Sequence, residues 1–146
     1  MSAKCFFDTN VLVYAAIGTG PDEPRRKRAL TLIESEDFAT SAQVLQEFFV
    51  TVVKKAGIPL PAALALEWIE QFTAFPCQAI DQRLVRMAIQ KAERYGISYR
   101  DATILAAAEA HGADIVYPED FNDGQIYGTV RVVNPFGALD SQTGES

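Results

Sequence analysis

Phe6-Phe7-Asp8-Thr9-Asn10-Val11-Leu12-Val13 (FFDTNVLV) sets one ionisable carboxylate between two apolar runs. Cys5-Phe6-Phe7 reads as a short buried strand, and Val11 to Ala16 as a helical turn beyond it. A carboxylate buried without a partner costs several kcal/mol or shifts its pKa until it neutralises. Asp8 therefore lies at the watery end of an element, or a cation awaits it.

Outward from this stretch, short apolar strands alternate with helices. Asp22 to Glu36 reads as a helix and Phe38-Ala39 as a strand. Thr40-Ser41-Ala42-Gln43 supplies a T-x-x-Q capping box for a helix to about Lys55, stopped by Gly57. Pro59 and Pro61 introduce a helix through Phe72, and Cys77 to Ile80 is a strand candidate. Asp81 caps a helix reaching Tyr95 and ended by Gly96. Ser98-Tyr99-Arg100-Asp101 opens the next helix, which ends near His111-Gly112. Ile115-Val116-Tyr117 and Val130 to Val133 are strand candidates on either side of an acidic loop, Pro118 to Gly128. The pattern predicts an α/β fold with a mainly parallel central sheet flanked by helices. Residues 1–136 read as one domain and 137–146 as a polar, disordered tail. Ligands of such sheets bind beyond the carboxyl ends of the strands, where Asp8 and Asp120 fall.

Composition narrows the function. The 146 residues are 49% hydrophobic and 22% charged, the balance of a soluble domain with a sizeable core. No run approaches the roughly 18 apolar residues of a membrane span. Together with the lack of a leader pattern, this gives a cytoplasmic expectation. Cys5 and Cys77 form no CxxC and read as buried, reduced thiols. The net charge of −6 argues against coating nucleic acid by bulk electrostatics, although bound metal ions invert the local sign. The basic cluster Arg25 to Arg28 reads as a solvated helix face, with a phosphate contact as the alternative.

The remaining acids occupy unusual places. Glu47 has Val44, Val50 and Thr51 at helical spacing, and Asp101 has Ile104, Leu105 and Ala108. Asp101 also has a plain structural explanation, since Ser98-x-x-Asp101 is itself a capping box. The loop contributes Glu119, Asp120 and Asp123, without the spacing of a calcium loop. Cys and His are nearly absent, and hard oxygen donors alone favour Mg²⁺ or Mn²⁺ over zinc. His111, the single histidine, sits at a helix end, so a serine triad of the usual type is not available. Nucleotide-cradling glycine motifs are missing. Carboxylate-held metal chemistry is what these residues favour.

FFDTNVLVYA, SAQVLQEFF, SYRDATILAAAEAHGADIVYPEDF and NDGQIYGTVRVVNPF follow one another in the order found in PIN-domain proteins. Over Lys4 to about Phe136 the chain resembles the toxin ribonucleases of bacterial VapBC-type toxin–antitoxin pairs. The resemblance implies Mg²⁺- or Mn²⁺-dependent hydrolysis of RNA, a homodimer, and an antitoxin partner whose tail blocks the site. By position it makes Asp8 and Asp101 direct metal ligands. Glu47 holds a second ion or orients the attacking water, and Asp120 completes the set. Thr9 and Asn10 support the first aspartate by hydrogen bonds. Pro118-Glu119-Asp120 departs from the Ser or Thr often found before the fourth acid, leaving Glu119, Asp120 and Asp123 as candidates. On this reading Asp8→Asn abolishes cleavage and eases carboxylate repulsion in the metal-free protein. Two rivals compete with it: a non-catalytic acidic binding module, and a phosphatase using a strand-end aspartate, against which Asn10 counts.

Overall fold

The computed structural model describes residues 4–55, 57, 59–118, 121, 123–137 and 139. Most of the expected polar tail lies outside these residues. The strands are β1 (Cys5–Phe7), β2 (Phe38–Ser41), β3 (Cys77–Gln78), β4 (Ile115–Tyr117), β5 (Ile126–Tyr127) and β6 (Val130–Val132). The helices are α1 (Thr9–Ile17), α2 (Glu23–Ser35), α3 (Ala42–Val53), α4 (Ala62–Phe72), α5 (Gln82–Tyr95) and α6 (Tyr99–His111).

The sheet runs in the order β3-β2-β1-β4-β6-β5, parallel except for β5 against β6. α1 meets α2 and α3, α3 meets α4, and α5 meets α6, the two groups that right-handed crossovers in this strand order place on opposite faces. Phe6 and Phe7 are consequently both fully buried, although adjacent residues of a strand point to opposite faces. The chain leaves β1 toward β2 on one side and returns to β4 on the other. The carboxyl end of β1 is thus a topological switch point, where such sheets open a crevice.

Aromatic packing supports that crevice from below. Phe38 stacks between Phe7 and Phe75, with ring centroids 4.2 and 4.0 Å away. Phe48 meets Phe72 edge-on at 5.4 Å and ties α3 to α4. Phe38→Ala is expected to lower unfolding free energy by about 3–5 kcal/mol, measured by urea denaturation, because it removes a fully buried ring from a filled stack. A loss below about 1 kcal/mol would mean the stack collapses without cost.

Several local expectations change. The helix after β2 is capped by Ser41, whose Oγ accepts from the Val44 N–H at 3.2 Å, and not by Thr40. Thr40 is still in the strand, its N–H bonded to the Pro76 carbonyl, and that pairing removes it from the capping position. Gln43 donates from Nε2 to the Arg100 carbonyl instead of closing a box. Part of the expected loop folds as the β5–β6 hairpin, turned at Gly128 with φ +66, a conformation that glycine takes without strain. Cys5 is buried and its thiol is pushed up to about 12, chiefly by burial, whereas Cys77 is exposed. Gly96 ends α5 in the left-handed conformation, as its position suggested. Among the described residues no helix is long and apolar enough to cross a membrane.

Candidate functional site

β1 ends and α1 begins at Asp8, which serves both elements. Its N–H donates to the Tyr117 carbonyl at 3.2 Å, continuing the β1–β4 pairing by one residue. Its side chain is the N-cap of α1 and accepts from the Thr9 N–H at 2.6 Å. The carboxylate is fully buried at the positive end of a helix, where negative charge is favoured.

Glu47 approaches from α3. Its Oε1 accepts from the Thr9 hydroxyl at 2.8 Å, so one residue holds both acids: Asp8 through its backbone and Glu47 through its side chain. Asn10 is also buried and donates from Nδ2 to the Pro118 carbonyl at 3.4 Å, tying α1 to the end of β4. Thr9 bonds directly to Asp8, while Asn10 secures the backbone beyond β4.

The first turn of α6 completes the group. Ser98 caps this helix, its Oγ accepting from the Asp101 N–H at 3.1 Å. The Asp101 carboxylate instead accepts from Arg100 Nη1 at 3.2 Å. Arg100 is the cation that the buried aspartate required. Its Nη2 and Nη1 donate to Asp8 Oδ1 and Oδ2 at 2.7 and 3.1 Å. Nη2 and Nε reach Glu47 Oε1 and Oε2 at 2.5 and 3.1 Å. One guanidinium fork therefore joins acids from the β1–α1 junction, α3 and α6, the geometry in which charge-assisted bonds are strongest. Arg100 escapes sequence reasoning because it stands beside Asp101 in a capping motif; its one signal is a basic residue at the positive end of a helix.

Electrostatics follow from that contact. Burial pushes the Glu47 carboxyl up, but bonds from Arg100 and Thr9 and the guanidinium charge outweigh it and hold the group below its ordinary value. Burial disfavours the Arg100 charge, yet Glu47 and Asp8 more than compensate, so its pKa is raised. Because the folded pKa of Glu47 is depressed, its contribution to stability is complete above the unfolded carboxylate value, about 4.3, and is lost as pH falls through the folded value. The gap in melting temperature between wild type and Glu47→Gln is therefore expected to narrow below about pH 4.3. Thermal melts from pH 6 to pH 3 check this; a constant gap would contradict it.

Other residues singled out by sequence fall elsewhere. Asp123 accepts from the Asn134 N–H at 2.8 Å and fastens the acidic loop. Glu119 and Asp120 lie outside the described residues. In the basic cluster, Arg26 pairs with Glu23 within α2, and Arg28 donates to the Pro135 carbonyl, tying α2 to the segment after β6. Beside the three acids opens a cleft of about 330 Å³, lined by Thr9, Gln46, Glu47, Val50, Thr51 and Arg100.

The family model described as the PIN domain matches residues 5–122. This chain belongs to the PIN-domain family. The PIN domain here has the fold of several solved structures. It is similar to Mycobacterium tuberculosis VapC20, described as a sarcin–ricin loop cleaving toxin, at 23% identity and TM-score 0.65, over 81% of this chain and 91% of that one. It is similar to a toxin–antitoxin complex from Klebsiella pneumoniae at 22% identity and TM-score 0.66, over 90% and 97%. FitAcB from Neisseria gonorrhoeae matches at 21% and 0.60, over 90% and 98%. Comparison with curated proteins gives no match. In this PIN domain the acids and the cleft share the carboxyl end of the sheet, with a cation already bound among them.

Proposed function

We propose that this PIN domain is a Mg²⁺- or Mn²⁺-dependent endoribonuclease and the toxin of a toxin–antitoxin pair. The observation that carries the reading is the meeting of Asp8, Glu47 and Asp101 on one cation at the switch point of the sheet. The donor set suits a hard divalent ion: the three side chains offer only oxygens. The guanidinium is a stand-in that reports how strongly the pocket favours positive charge. Three carboxylates against one guanidinium also leave negative charge in excess, to the advantage of a doubly charged ion.

Asp8 and Asp101 would hold the ion. Glu47 would hold a second ion or accept the proton of the attacking water, with its orientation fixed by Thr9. Asp120 is proposed as the fourth acid, with Thr9 and Asn10 in support. When bound, the ion supplies water activation and stabilisation of the phosphodiester transition state. An RNA substrate accords with the description of VapC20, and an antitoxin partner with the Klebsiella complex. The proposal extends to a homodimer acting in the cytoplasm. A mainly apolar cleft lined by Leu45, Gln46, Phe49, Val50 and Ile69, with Phe49 and Val50 exposed, supports contact with another protein.

The test is cleavage of a mixed RNA pool by the purified chain in Mg²⁺, Mn²⁺ or EDTA. Cleavage that requires the ion is the expected result. With no cleavage in any condition, and no gain in thermal stability from either ion, the acidic binding module would replace this reading.

A further inference from the structure

Each nitrogen of the Arg100 fork lies against oxygens assigned above to the metal. Nη1 is shared between Asp8 Oδ2 and Asp101 Oδ1, at 3.1 and 3.2 Å. Nη2 is shared between Asp8 Oδ1 and Glu47 Oε1, at 2.7 and 2.5 Å. The places where an ion would link Asp8 to Asp101, or Asp8 to Glu47, are thus filled by guanidinium nitrogens. Consistently, among the described residues no three acids, cysteines or histidines stand close enough together to hold an ion as they are. The guanidinium sits among the three acids, bonded to each of them.

We propose that Arg100 is a displaceable internal cation, which exchanges with the divalent ion for the oxygens of Asp8, Glu47 and Asp101 and so sets the affinity for that ion. The inference rests on the reading of these acids as a metal site. Its grounds are steric and electrostatic. Both Asp8 oxygens and both Glu47 oxygens are committed to the fork, and a hard ion requires those lone pairs at about 2.0–2.1 Å. The ion and the fork therefore compete for the same oxygens, and their like charges repel across them.

The way out is open. The Arg100 side chain is 36% exposed, against 0% for Asp8, and it borders the adjacent cleft. Its backbone is anchored separately, the carbonyl accepting from Gln43 Nε2, so side-chain rotation leaves α6 in place. A protein whose competent state is a fraction of the population binds its ligand more weakly by that fraction. Removing the competitor should recover that loss.

The experiment is a calorimetric Mn²⁺ titration of the full chain as wild type, Arg100→Gln and Arg100→Lys, with melting temperatures of the metal-free forms. Expected is binding about tenfold or more tighter in Arg100→Gln, as for removal of a competing closed state. The metal-free variant should melt lower than wild type. Arg100→Lys should fall between the two, because an ammonium keeps the charge but cannot fork across three acids. Equal affinity in wild type and Arg100→Gln would overturn the proposal.

Should Arg100→Gln not fold, the wild-type Arg100 Nε–H resonance decides during Mg²⁺ titration. Displacement moves it to the position of a solvated arginine. If it keeps its carboxylate-bonded position at saturating ion while the protein cleaves RNA, the proposal falls and the nuclease reading stands. If neither wild type nor Arg100→Gln binds Mn²⁺ or cleaves RNA, the nuclease reading falls and takes this proposal with it.

Discussion

Asp8→Asn is expected to reduce RNA cleavage by about 10³-fold or more in a protein that remains folded, measured under single-turnover conditions. The amide keeps an oxygen for the Thr9 N–H, so the β1–α1 junction survives. It loses the charge that holds the ion. Stability should also fall, by about 1–3 kcal/mol in urea denaturation of the metal-free protein, as for a lost bond to a charged group. Sequence alone suggested the opposite sign, through relief of repulsion among acids. Arg100 changes that sign, because Asp8 is engaged by a bidentate cation in the folded protein. Full activity in folded Asp8→Asn would take this residue out of the mechanism.

Asp101→Asn and Ser98→Ala should separate chemistry from capping. The two residues share one motif, but the described hydrogen bonds divide their work: Ser98 Oγ caps α6 and the Asp101 carboxylate faces Arg100. Asp101→Asn is expected to cost about 10²-fold or more in cleavage, with helix content unchanged by circular dichroism. Ser98→Ala should cost about 1 kcal/mol of stability with cleavage near wild type. If instead both variants lose stability and neither loses cleavage, Asp101 is a capping residue.

Much of this was legible in the chain. Strand and helix order follows from short apolar runs between capping and stop residues, and Asp8, Glu47 and Asp101 stand out as acids in apolar settings. What escaped depends on tertiary approach. Arg100 lies 92 residues from Asp8 and 53 from Glu47, and no local pattern gives that pairing. Thr40 and Ser41 are equally good caps by type; hydrogen bonding to the Pro76 carbonyl selects between them. The β5–β6 hairpin was obscured by two-residue β5, too short to show a period. Cys77 looked internal from its apolar neighbours, yet β3 is an edge strand.

The run Ala102 to Ala108 in α6 is buried along its whole length, in a helix that packs on α5 and on β2, β3, β4 and β6. The alanines of the run, Ala102, Ala106, Ala107 and Ala108, let the helix lie close to its neighbours beside the larger Thr103, Ile104 and Leu105. How closely the helix seats sets how far Arg100 and Asp101, immediately before the run, stand from Asp8. A bulkier residue such as Ala106→Leu would lift the helix and misalign the acids without touching them. Inactivating substitutions along this row would then report tolerance in the spacing, and a mutational scan would overcount the residues that take part in the chemistry.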